Sequence, residues 1–137
     1  VTRLLLDTHF VLRIAGNRVG TSAAEDAFLE AYTGAFVVSA ISIWEVTLKH
    51  ELQTRSGQPK LPISGAQVLD VVEQRGLALL PLSARHAATA LDVPFGRGDP
   101  FDRMLLRQAQ AEGMRLLTRD RSLATHPLAF CIVEPAP

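Results

Sequence analysis

Four acids in the sequence, Asp7, Glu45, Asp102 and Asp120, lie far apart along the chain, yet each falls at or near the start of a helix. Crowding such carboxylates is costly, because like charges raise one another's pKa. A hard divalent cation removes that cost: Mg²⁺ prefers oxygen ligands and keeps several of its waters. A site of this kind can lower the pKa of bound water and hold a scissile phosphate, with one ion or with two about 3.5–4 Å apart. Helix N-termini nearby add partial positive charge. The chemistry therefore depends on whether folding brings these four residues together.

The elements that must position them can be read from the pattern of apolar residues. Leu4 to Leu6 is a short apolar run that stops at Asp7, as a buried strand would. Phe10, Val11 and Ile14 follow at helical spacing up to Gly16-Asn17, and Thr21-Ser22 caps a second helix that Gly34 stops. Ala35 to Val38 is the second strand. A long helix is expected from about Ile41 to Thr54, with Ile41, Trp44, Leu48 and Leu52 on its apolar stripe and Glu45 beside it. After a Gly- and Pro-containing loop over 56–62, Ser64 caps a helix ending near Gly76. Leu77 to Leu82 is a third strand, limited by Pro81, and Ser83 caps a helix through about Asp92. Asp99 as N-cap and Pro100 at the first helical position start a helix that runs to Gly113. Arg115 to Thr118 is a fourth strand ending at Arg119-Asp120. A short helical turn and a last strand, Phe130 to Val133, complete the series.

Strands thus alternate with helices over 1–137, which predicts one α/β domain: a three-layer α/β/α sandwich on a central, mainly parallel sheet of four to five strands. In such sheets ligands bind at the carboxyl ends of the strands. Asp7 and Asp120 directly follow strands, and helices carrying Glu45 and Asp102 begin at the same edge. Each acid also has a plainer reading. Asp7 could cap the helix after it, Asp120 could be a turn residue, Glu45 a solvated helix residue, and Asp102 a surface acid favoured by the helix dipole. Asp99 reads more readily as a helix cap than as a ligand. Their agreement at one rim is what favours the functional reading over the plainer ones.

The chain has 137 residues, 47% of them hydrophobic, enough for a core without disulfide staples. Its single cysteine, Cys131, falls in the predicted last strand and suits a reducing compartment. The opening VTRLLLDTHF is not a signal-peptide pattern, and no stretch is long enough to cross a bilayer, so a soluble cytoplasmic protein is expected. Net charge is zero, which counts mildly against a nucleic-acid partner unless a cation cancels clustered acids. Arg far outnumbers Lys, a composition suited to gripping phosphate. His50, His86 and His126 show no metal spacing with one another or with Cys131, and Gly96-Arg97-Gly98 lacks the Lys and preceding strand of a phosphate-binding loop. The hydroxyls of Thr8, Ser39 and Thr118 stand beside strand ends, where they can orient a carboxylate or satisfy backbone groups.

The segments LLLDTHFVLRIAG, VVSAISIWEVTLKHEL, GDPFDRMLLRQAQAEG and LLTRD, in that order, resemble PIN-domain proteins of the VapC toxin type, across nearly the entire chain. The resemblance implies an endoribonuclease dependent on Mg²⁺ or Mn²⁺, a cognate antitoxin that blocks its site, and a homodimer. By motif, Asp7, Glu45, Asp102 and Asp120 take the catalytic and metal-binding positions, with Asp99 in the site or just behind it. Arg13, Lys49, Arg97, Arg103 and Arg119 are candidate phosphate contacts by closeness to those motifs. Two other readings remain open. A phosphatase-like hydrolase would use Asp7 as nucleophile, although it usually wants a second Asp where His9 stands. A non-catalytic PIN-like module would bind RNA or protein without metal.

Overall fold

The structure, a computed structural model, describes residues 2–17, 20–96 and 98–132. Five parallel strands form one sheet in the order β3-β2-β1-β4-β5: β1 Arg3–Leu6, β2 Ala35–Ser39, β3 Ala78–Leu80, β4 Arg115–Leu117 and β5 Ala129–Phe130. Helices α1 Thr8–Ile14, α2 Ala23–Ala31, α3 Ala40–Glu51, α4 Gly65–Gln74, α5 Ala84–Ala88 and α6 Pro100–Glu112 connect them. Successive strand residues point to opposite faces, so the central strands β1, β2 and β4 feed two cores. Leu5, Val37 and Leu116 pack on one side with Leu105, Leu106 and Ala109 of α6. Leu4, Leu6, Val38 and Leu117 pack on the other with Phe10 and Val11 of α1, Val46 of α3, and Val68 and Val72 of α4. The α/β sandwich with a parallel sheet is therefore the observed architecture.

The chain runs outward from β1 through β2 to β3, then returns to place β4 on the far side of β1. That reversal opens a crevice at the carboxyl ends of β1 and β4, where an open α/β sheet binds its ligands. Leu6 pairs with Leu117, and the Asp7 N–H donates to the Leu117 carbonyl at 3.0 Å. Asp7 and Thr118 thus stand level at the crevice.

Several expected bounds move. The expected stripe of α3 is rotated: its buried residues are Ile41, Ser42, Glu45 and Val46, whereas Trp44 and Leu52 are about half exposed. Position 45 lies one turn after Ile41 and shares its inward side, so the acid lies on the buried face itself. The helix after Ser83 ends at Ala88 rather than near Asp92, because Gln110 of α6 takes up the next segment. Its Nε2 donates to the Ala90 carbonyl and its Oε1 accepts from the Asp92 N–H, which replaces helical bonding there. The third strand is shortened to Leu80 by Pro81, and the last strand to Ala129–Phe130. Cys131 consequently lies outside that strand, half-buried, and Val133 lies outside the described residues. The helix from Pro100 to Glu112, with its Asp99 cap and left-handed Gly113 stop, matches expectation.

Candidate functional site

One cavity of about 340 Å³ at this edge is lined by Asp7, Glu45, Asp99, Asp102 and Asp120, together with Thr8, His9, Leu12, Lys49, Thr118 and Arg119. Folding thus brings all four sequence-predicted acids, and Asp99, to one place. Three of these acids are also helix caps. Asp7 Oδ1 accepts from the Phe10 N–H at 3.2 Å, Asp99 Oδ1 from the Asp102 N–H at 2.8 Å, and Asp120 Oδ1 from the Ser122 N–H at 2.9 Å and its hydroxyl at 2.7 Å. The plainer readings of Asp7, Asp99 and Asp120 therefore hold beside the functional one. Among the described residues, no hydrogen bond reaches Oδ2 of Asp99 or Asp120.

Hydroxyls fix the rest of the array. Thr118 is buried; its side chain hydrogen-bonds the Asp7 carboxylate, and its Oγ1 accepts from the Asp120 N–H at 3.1 Å. It thereby ties the acid of β1 to the acid after β4. Glu45 is 5% exposed, with Oε1 accepting from the Thr8 hydroxyl at 2.6 Å and Oε2 from Lys49 Nζ at 2.6 Å. Ser39, by contrast, caps α3 and bonds Gln108 of α6, a structural role away from the cavity.

The electrostatics show that these groups feel one another. Burial pushes the Asp7 carboxyl up from 3.8 to about 6, against the hydrogen bonds from Thr118, Phe10 and the Arg119 backbone, with Glu45 adding to the rise. Burial also pushes Asp102 up to about 7, reinforced by the charges of Asp99, Asp7, Glu45 and Asp120. Among the described residues, no three His, Cys, Asp or Glu side chains stand close enough to form a ready-made metal cage. The donor set nevertheless suits a hard divalent ion: it is all carboxylate and hydroxyl oxygen. A cation that retains its waters can also span carboxylates that do not touch.

The candidate phosphate contacts separate by position. Lys49 and Arg119 line the cavity. Arg13 is instead paired with Asp26 at 2.5 Å and lines a different cavity. Arg103 is exposed on α6 and is not part of the cavity wall, and Arg97 lies outside the described residues. The sequence reading overlooked Glu25, which is 3% exposed and pairs with Arg119. Its signal was the Ser-x-x-Glu spacing from Ser22 to Glu25, a reciprocal capping box.

The family model described as PIN domain matches residues 4–127. No curated protein matches significantly. Solved structures with the same fold include VapBC2 from Rickettsia felis bound to a DNA fragment from its promoter, at 15% identity and a TM-score of 0.60, covering 95% of this chain and 97% of that one. A toxin–antitoxin complex from Klebsiella pneumoniae shows 18% identity and a TM-score of 0.58, with 96% and 99% covered. FitAB bound to an IR36 DNA fragment shows 19% identity and a TM-score of 0.63, with 96% and 98% covered.

Proposed function

The chain belongs to the PIN-domain family, and from that premise we propose that it is a Mg²⁺- or Mn²⁺-dependent endoribonuclease, the toxin of a toxin–antitoxin pair. The observation that carries this reading is the convergence of Asp7, Glu45, Asp99, Asp102 and Asp120 on one cavity, where four of them act together on the charge of the fifth. Carboxylates held against one another at a sheet edge are unfavourable for the fold by themselves and favourable for a divalent cation.

Asp7, Asp102 and Asp120 would hold the ion, directly or through water, with Asp99 beside them. When bound, a divalent cation supplies charge neutralisation at the scissile phosphate and a lowered pKa for water. Glu45, fixed by Thr8 and Lys49, accepts the proton of the attacking water as that oxygen bonds to phosphorus and the bond to the leaving oxygen breaks. Lys49 and Arg119 on the wall grip the phosphates of the RNA.

One structural neighbour, from Klebsiella pneumoniae, is a toxin–antitoxin complex, which supports an antitoxin partner here. An antitoxin Arg placed against the carboxylates would silence the site through charge-assisted hydrogen bonds. The antitoxin's own helix would lie against α1, α2 and α3, where Trp44 and Leu52 are exposed. A homodimer and a cytoplasmic location complete the proposal.

Cleavage of labelled RNA in Mg²⁺ and in EDTA tests the enzyme reading. Cleavage in Mg²⁺ alone, lost in Asp7→Asn while RNA binding persists, is the expected result. Equal cleavage in EDTA would overturn the metal mechanism, and RNA binding without cleavage in either condition would favour a non-catalytic module.

A further inference from the structure

Arg119 is rooted inside the carboxylate array. It stands between Thr118 and Asp120 in sequence, and its backbone N–H bonds the Asp7 carboxylate. Its side chain lines the acidic cavity and also a second, smaller one formed with Glu25, Arg121, Ala124, Cys131 and Ile132. A guanidinium is permanently charged, and the strongest partner for it is a carboxylate. Without a competing anchor, Asp7, Asp102 and Asp120 are the acids such a side chain would settle among, in place of a divalent ion.

A competing anchor is present. Glu25 Oε2 lies 3.3 Å from Arg119 Nε, and Arg119 Nη1 donates to the Gly20 carbonyl at 2.6 Å, with His9 Nδ1 at 3.5 Å. The Oε1 atom of Glu25 accepts from the Ser22 N–H at 2.9 Å, closing the capping box of α2. Capping alone does not account for the burial of Glu25. Gln67 makes the same box with Ser64 on α4 while exposed and without a charge. A carboxylate that is 3% exposed carries a large desolvation cost, which a cation offsets.

We propose that Glu25 is a positioning residue of the acidic site: it holds the Arg119 guanidinium at the rim and keeps that cation from settling among Asp7, Asp102 and Asp120. The inference rests on the proposed function, since it concerns access of a divalent ion to those acids. It adds that α2, which contributes no acid to the array, controls how freely the site takes up its ion.

The test is Mn²⁺ binding by calorimetry on the full chain: wild type, Glu25→Gln, Arg119→Gln and the double variant. Gln keeps the capping box, so Glu25→Gln releases Arg119 without removing the α2 cap. The expected result is Mn²⁺ affinity weakened about tenfold by Glu25→Gln in the wild-type background, and changed less than twofold by it when position 119 is already Gln. An equal shift in both backgrounds would reveal only a lost distant charge and overturn the proposal, as would no shift at all.

Arg119→Gln leaves the buried Glu25 with only the His9 ring, 3.7 Å from its Oε2, and the Ser22 N–H beside it, so a second readout avoids that variant. In RNA cleavage, Glu25→Gln is expected to need about tenfold more Mn²⁺ for half-maximal rate and to regain kcat within twofold at saturating Mn²⁺. A kcat lowered at every Mn²⁺ concentration would mark a merely structural role and overturn the proposal. A wild-type chain that takes up no Mn²⁺ would instead overturn the nuclease reading, and this inference with it.

Discussion

Asp7 answers two demands with one side chain: it caps α1, and it faces the cavity shared by the other acids. Its folded-state value of about 6 lies above the unfolded value of 3.8, so its ionisation opposes folding. The opposition is absent below about pH 4 and complete above about pH 6. At about 1.4 kcal/mol per pH unit, the difference amounts to about 3 kcal/mol. Asp7→Asn removes that cost and sacrifices one hydrogen bond, since an amide cannot accept at both ends, at about 1 kcal/mol. The metal-free variant is therefore expected to be about 2 kcal/mol more stable than wild type at pH 7.5, with the advantage gone at pH 4. Urea titration at both values checks it, and a destabilised variant at pH 7.5 would contradict it. For Lys49 and Arg119 the expectation concerns salt: Lys49→Gln should weaken RNA binding for all sequences and lower the slope of log K against log salt by about 1. Asp7, Asp99 and Asp120 were legible as residues because strand ends and helix starts punctuate the sequence around them. Glu25 was not, because the same Ser-x-x-Glu spacing serves any exposed helix, and only tertiary packing buried it.

At the scale of elements, α3 decides whether Glu45 reaches the cavity. Its apolar residues suggested one stripe through Trp44 and Leu52, but the helix is buried through Ile41, Ser42, Glu45 and Val46. Small and polar residues on that face let it pack closely, and periodicity of large apolar residues alone misplaces the stripe. The close approach is sharpest where α4 begins. A Cβ added to Gly65 would lie 1.9 Å from Thr47 Oγ1 and 3.1 Å from the Ile43 carbonyl. Gly65→Ala is thus expected to destabilise the protein by about 1–3 kcal/mol through forced separation of α3 and α4. Thermal unfolding measures this, and Thr47→Ala in the same chain should recover part of the loss. Trp44→Glu, on the exposed side, should leave unfolding within about 0.5 kcal/mol of wild type. The helix bounded by Asp99-Pro100 and Gly113 was readable almost to the residue, since its two signals are local. The helix after Ser83 was not, because the side chain that ends it comes from Gln110, distant in sequence.

At the scale of the molecule, topology gathers the site. The reversal from β3 back to β4 beside β1 places two strand ends at one crevice, and the helices that follow bring Glu45 and Asp102 to it. Alternating strands and helices announced this class of sheet; the strand order, set by long-range pairing, came only with the fold. The whole-molecule consequence is a coupling between ion and stability: Mg²⁺ should raise the melting temperature at pH 7.5 and have little effect at pH 5, where Asp7 and Asp102 hold their protons. The most direct test of the account is a crystal of the protein soaked in Mn²⁺ and measured for anomalous scattering. An anomalous peak among Asp7, Asp102 and Asp120 is predicted. At saturating Mn²⁺, no peak there, or one only elsewhere on the molecule, would contradict the claim that these acids form a divalent-cation site.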